Sequence, residues 1–90
     1  MNDFLSLLNK WNQEDEYQKI IDCLEKLSNT QTLDYTLTCQ LARAYNNIAD
    51  LDKPEAKGQL KRAEELLRSG EAEGAEDPLW HYRLGYSLFY

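Results

Sequence analysis

A chain of 90 residues with a net charge of −6 forms one small domain, and its pI of about 4.6 argues against the basic surface that nucleic-acid binding requires. A hydrophobic content of 42% and a charged content of 29% are typical of a folded, soluble protein and not of a disordered one. Valine is absent, whereas Leu, Ala, Glu, Lys and Gln are plentiful, so the composition favours helices over strands. The predicted fold class is all-α.

The sequence also predicts a cytoplasmic protein that does not enter a membrane. No apolar run approaches the roughly 20 residues of a membrane-spanning helix. The first residues include Asp3 and lack the cationic start of a secretory signal peptide. Cys23 and Cys39 are too few for a disulfide framework, so we expect two reduced thiols in the core or at its edge.

Apolar residues recur at helical spacing in the first third of the chain and predict two short helices. The first spans residues 2–12, with Asn2 or Asp3 as its cap, and the second ends near Leu27. The polar residues 12–15 leave room only for a tight joint between them. We therefore expect an antiparallel helical hairpin.

Two longer helices are predicted in the middle of the chain. The third runs from Asp34, its cap, to about Asp50. The fourth has Pro54 in its first turn, where a missing N–H costs nothing, and ends at Gly70 as its C′ glycine.

Residues 70–77 are predicted to form an acidic loop that contains two glycines. Asp77 and Pro78 then open a fifth helix as its cap and its first residue. We expect this helix to continue to the end of the chain, with Trp80, Leu84 and Leu88 on its apolar side.

A large residue, a small residue and an aromatic residue form a pattern that recurs along the chain. Leu41, Ala42 and Tyr45 place this pattern on one face of the third helix, together with Ile48. Residues 84–85 repeat the large-small step near the C-terminus. The residues 34 positions before Thr38, Leu41, Ala42 and Tyr45 are Phe4, Leu7, Leu8 and Trp11.

This recurrence resembles the tetratricopeptide repeat (TPR) family, whose unit is a helical hairpin of about 34 residues. The resemblance implies about five helices, arranged as antiparallel hairpins stacked in a right-handed superhelix. The first hairpin would be residues 1–34 and the second residues 35–77, with about nine residues inserted between its helices. Residues 78–90 would form an unpaired helix. The alternative is an ordinary antiparallel bundle around a closed core.

An unpaired last helix predicts that the chain is an N-terminal piece of a longer protein. Leu84, Gly85 and Leu88 would then face either a helix outside this chain or the same surface of a second copy.

The resemblance also implies that the first helices of successive units line a concave face that binds a peptide or protein partner. Amides on this face would pair with a peptide backbone, and Arg43 or Arg83 with a carboxylate. The predicted binding residues are Asn9, Asn12, Cys39, Arg43, Asn46, Tyr82, Arg83 and Tyr86, and the same face includes Leu5, Gln40, Asn47 and Phe89.

No pattern in the sequence predicts catalysis, a metal site or a cofactor. His81 is the only histidine, and in the first turn of a helix it is typical of a packing or capping residue. The two cysteines lie on different helices without the histidines that a zinc site or an activated thiol needs. No phosphate-binding loop or hydrolase motif is present.

Two functions follow. The first is a scaffold or adaptor module that binds a peptide or protein on the concave face. The second is a structural helical segment that orients a downstream domain or forms a homodimer through residues 78–90. Residues 80–86 resemble helical segments that precede bacterial immunity-type domains of the suppressor-of-fused sort, which adds an expectation to the second function.

Overall fold

A computed structural model describes the backbone of residues 2–89 and the side chains of residues 4–88, and this part of the chain contains six helices and no strand. The helices are α1 (Asn2–Gln13), α2 (Tyr17–Ser28), α3 (Tyr35–Ile48), α4 (Glu55–Ser69), α5 (Glu71–Gly74) and α6 (Pro78–Phe89). The predicted all-α class is therefore confirmed. No helix within residues 2–89 has the length and apolar character to cross a membrane.

Carboxylate side chains cap the starts of α3 and α6. The Asp34 carboxylate caps α3 by accepting a hydrogen bond from the Leu37 N–H at 2.8 Å. The Asp77 carboxylate accepts from the Leu79 N–H at 3.0 Å, and α6 begins at Pro78, as predicted. Pro54 lies just before α4 and not inside its first turn. The predicted caps of α1 lie outside the described side chains.

The prediction of a loop for residues 70–77 is wrong, because α5 lies within this segment. Gly70 ends α4 with a φ of −104°, so it does not have the left-handed conformation of a C′ glycine. Because Gly70 has no side chain, the Tyr35 ring can approach it closely. A Cβ at Gly70 would lie 3.1 Å from the Tyr35 ring, which is tighter than ordinary van der Waals contact.

Two hydrophobic clusters form the core, and α3 contributes to both. The first cluster includes Leu41 and Ala44 of α3, together with side chains of α1 and α2. The second includes Cys39 and Ala42 of α3, together with side chains of α4 and α6. The fully or almost fully buried members from the other helices are Leu8, Ile20, Leu24, Ala63, Leu67 and Trp80.

The core differs from the predicted apolar faces of the first and third helices. Leu41 and Ala42 point into different clusters, because successive residues on a helix are about 100° apart. Tyr45 packs against both clusters and connects them. Leu7, which was expected in the apolar stripe of the first helix, is 39% exposed, whereas its neighbour Leu8 is buried.

The long helices pack mainly against the next long helix in the chain: α1 on α2, α2 on α3, α3 on α4, and α4 on α6, past the short α5. In addition, α6 contacts α3. The predicted insertion is divided between a longer connection, residues 49–54 as compared with 14–16, and a longer α4. The right-handed TPR superhelix stays a prediction.

A polar network joins α2, α3 and α4 beside the first cluster. Both oxygens of Glu25 accept hydrogen bonds from Arg62, at 2.9 and 3.2 Å, and the Tyr45 hydroxyl donates to the same carboxylate. These hydrogen bonds, above all those from Arg62, hold the pKa of Glu25 below its ordinary value although the group is partly buried. Burial and the Glu25 hydrogen bond raise the pKa of Tyr45 to about 12.

Gly74 and Gly58 are predicted to respond in opposite directions to replacement by alanine. A Cβ at Gly74 would overlap the Trp80 indole, so we expect Gly74→Ala to lower the free energy of unfolding by about 1–3 kcal/mol. Gly58 lies inside α4 with no atom within 4 Å of a Cβ position, so Gly58→Ala should raise it by about 0.5–1 kcal/mol. Urea unfolding measures both. A neutral Gly74→Ala would contradict the close packing of Trp80.

Glu25 is predicted to make the stability depend on pH in the acid range. Because its pKa is lower in the folded state, Glu25 stabilises the fold above its unfolded pKa of about 4.3, and this contribution is lost as pH falls through the folded pKa. We expect Glu25→Gln to lower the free energy of unfolding by about 1 kcal/mol near pH 7, and the difference from the wild type to shrink towards about pH 3.

Urea titrations across this range measure the effect. The control is Glu64→Gln, which removes an exposed pair with Arg68 one turn away on the same helix. Its cost should stay below about 0.5 kcal/mol. Equal losses for the two variants would mean that the network between the helices contributes no more than a surface pair.

Candidate functional site

A cleft of about 470 Å³ lies between α3 and α6. Helical spacing explains how each helix contributes to it, because residues three, four and seven positions apart share one face. The cleft is lined by Arg43, Asn46 and Asn47 of α3 and by Leu79, Tyr82, Arg83 and Tyr86 of α6.

The opposite side of α6 is anchored on α4 by Trp80. The indole is 3% exposed, and its N–H donates a hydrogen bond of 2.8 Å to the Leu67 carbonyl oxygen. That carbonyl lies in the last turn of α4 and also accepts from the Gly70 N–H at 3.0 Å, so the indole bond adds a second donor to it and satisfies the buried indole N–H. Gly74 gives the indole the space it needs.

A buried amide connects α6 to α3 at the inner end of the cleft. Asn46 is 4% exposed, and its side-chain N–H donates to the Arg83 carbonyl oxygen at 3.0 Å. Its oxygen accepts from the Ser87 hydroxyl at 2.7 Å. Both polar ends of this amide are therefore used inside the protein. Asn46 positions α6 and is not available to hydrogen-bond a ligand in this arrangement.

A third link joins the start of α3 to the start of α6. The Tyr35 hydroxyl donates to the Asp77 carboxylate at 2.7 Å, which lowers the pKa of Asp77. Burial, and then this hydrogen bond, raise the pKa of Tyr35. Burial also raises the pKa of the neighbouring Cys39 thiol, so Cys39 is a protonated core residue and not a nucleophile.

The cleft carries positive charge on an acidic protein. Arg43 and Arg83 line it, and none of its described lining residues is a carboxylate. Among residues 4–88, neither guanidinium forms a salt bridge. Asp77 acts on Arg83 through space, but its two oxygens already accept from Tyr35 and Leu79. The two arginines therefore keep hydrogen-bonding capacity for an anionic group.

Five of the eight predicted binding residues meet at this cleft: Arg43, Asn46, Tyr82, Arg83 and Tyr86. Asn9 and Asn12 of α1 and the buried Cys39 do not line it. Asn12 is also buried, and its amide donates to Gln40 of α3 at 3.0 Å, while its oxygen has no partner in the described part of the chain. Phe89 lies outside the described side chains.

Leu79 and Asn47 line the cleft but were not among the eight. Leu79 is 58% exposed, although the next residue, Trp80, is buried. The signal that could have found it is spacing, because residues 79, 82, 83 and 86 fall on one face of a helix. Tyr82 is 71% exposed on the same face.

Other candidates for chemistry stay separate from the cleft. The His81 ring nitrogen lies 2.6 Å from the Ala75 carbonyl oxygen and ties the start of α6 to the preceding turn. Within the described part of the chain, no three His, Cys, Asp or Glu side chains are placed to hold a metal ion. Leu84, which was expected to face a missing helix, packs on the second cluster, whereas Leu88 is 45% exposed.

Comparisons of the chain with models of known protein families, with curated protein sequences and with solved structures give no significant match. The residues and their geometry are therefore the basis for a functional proposal.

Asn46 and Asn47 are adjacent but are predicted to have different roles. We expect Asn46→Ala to lower the free energy of unfolding by about 2 kcal/mol, because it removes two buried hydrogen bonds and leaves a small cavity. Asn47 is exposed, so Asn47→Ala should change stability by less than about 0.5 kcal/mol. Thermal and urea unfolding compare the two. Similar losses at both positions would contradict the role of Asn46 in holding α6.

Proposed function

We propose that the protein is a scaffold or adaptor module that binds a peptide or protein segment in the cleft between α3 and α6. The observation that supports this most strongly is the composition of the cleft. Two arginines, an exposed amide and two tyrosines line one concavity, whose helices are held in place by Trp80 on the opposite side of α6 and by the buried Asn46 between them.

The residue types suit polypeptide recognition. Tyrosine and arginine contribute most often to the energy of protein interfaces, since each combines a large apolar area with polar groups. Tyr82 is mostly exposed, so it has area to bury when a partner binds. The Asn47 amide can donate to and accept from a peptide backbone. The TPR resemblance favours the same face, since it implies binding across the first helices of successive hairpins.

A second candidate is a structural segment that forms a homodimer through α6. The outer side of this helix supports it, because Leu88 is 45% exposed and, among residues 4–88, no atom of another helix lies within 4 Å of a Cβ position at Gly85. An apolar side chain next to open space is a surface on which a second helix can pack closely.

Site-specific photocrosslinking tests the proposal. With Asn47→p-benzoylphenylalanine in the cleft, we expect irradiation in the cell that encodes the protein to capture a polypeptide, identified by mass spectrometry. The same substitution at Lys57, exposed on α4, should capture nothing comparable. Arg43→Ala and Tyr86→Ala should each reduce capture at position 47 at least several-fold, because truncation of arginine or tyrosine anchors costs more than about 1 kcal/mol.

The mass of the captured product separates the two candidates. A product containing this chain and a different polypeptide supports the scaffold. A product of two copies of this chain, unchanged by Arg43→Ala, favours the homodimer. Equal capture at positions 47 and 57 would contradict a binding site in the cleft.

A further inference from the structure

The distribution of charge shows which kind of segment the cleft favours. The chain has 16 acidic and 10 basic residues, yet within residues 4–88 the lining of the cleft includes two arginines and no acid. Two of the four arginines pair with carboxylates, Arg62 with Glu25 and Arg68 with Glu64. Arg43 and Arg83 form no such pair among residues 4–88.

The surroundings of the two arginines keep them available. Each is only partly exposed, and they come from different helices, so both can contact one bound segment. The Asn46 side chain donates a hydrogen bond to the Arg83 carbonyl oxygen, and this bond fixes the backbone of α6 at Arg83. A guanidinium that is partly shielded from water gains more from a carboxylate than one on an open surface does.

We propose that the cleft selects an acidic peptide segment, with carboxylates bound by Arg43 and Arg83 and a neighbouring apolar side chain packed on Leu79 and Tyr82. This deepens the proposed function and rests on it. The acidic surface elsewhere on the chain repels such a segment, so selectivity has to come from contacts inside the cleft. Simple salt dependence therefore does not test the inference, because salt screens the attraction and the repulsion together.

A random peptide library displayed on phage, with inserts of about ten residues, tests the charge preference without knowledge of the partner. After selection on the wild-type protein, we expect the enriched peptides to carry about two more negative charges than the unselected library, one for each available arginine. Enriched peptides should also contain Leu, Phe, Tyr or Trp next to the acids.

Matched double variants test whether Arg43 and Arg83 cause the preference for acidic peptides. Arg43→Gln/Arg83→Gln should lower the affinity for an enriched peptide by about tenfold or more, because two charge-assisted contacts are lost. Lys57→Gln/Arg68→Gln changes the net charge of the protein equally but lies on α4, and it should leave the affinity unchanged. Circular dichroism establishes that each variant is folded. If Arg43→Gln/Arg83→Gln is not folded, the charge of the peptides selected by the wild type alone decides whether the cleft prefers acidic segments.

The outcomes separate this inference from the function on which it rests. Enriched peptides that are neutral or basic, but whose binding Tyr82→Ala and Asn47→Ala weaken, would overturn the acidic preference and leave the peptide-binding function standing. No enrichment over a Tyr82→Ala/Tyr86→Ala variant would overturn both. Self-association that Arg43→Gln/Arg83→Gln abolishes would support the acidic preference but overturn the scaffold function, since the acidic segment 71–76 of a second copy would then be the occupant.

Discussion

The packing of the Trp80 indole against Gly74 determines where α6 lies, and the cleft depends on that position. The indole is large enough to dominate the second cluster, and only a residue without a Cβ allows it to approach this turn so closely. Its N–H donates to the Leu67 carbonyl, so one side of α6 is fixed on α4. The other side, with Leu79 and Arg83, is then held facing α3.

Hydrophobic contact alone would not fix the rotation and sliding of α6, because it has little directional preference. The Asn46 amide supplies the directional interaction that fixes the helix. Both of its hydrogen bonds go to α6, so a shift of the helix would leave a buried polar group without partners. The other side of α3 packs in the first cluster, where the Glu25 network also connects α2 with α4. Helix α3 thus joins the core to the cleft.

Local physics let the sequence predict much of the fold and part of the site. Helical periodicity and the absence of valine predicted an all-α protein, and the caps Asp34 and Asp77 were correct because capping involves residues only a few positions apart. The same periodicity placed Arg43 on one helical face and Tyr82 and Arg83 on another. Whether those faces meet depends on how the helices pack, and the structure brings them to one cleft.

The sequence by itself therefore determined five of the six helices in residues 2–89, the starts of α3 and α6, and the faces that carry polar and aromatic side chains. Only the tertiary structure decided that the Asn46 amide forms its hydrogen bonds inside the protein, and that Asn12 and Cys39 are buried away from the cleft. It also paired Glu25 with Arg62, 37 residues further along the chain. It also decided that Gly74 packs under Trp80. The physical reason is that helix formation depends on residues a few positions apart in the sequence. Burial, ion pairing and close packing depend on residues that only folding brings together.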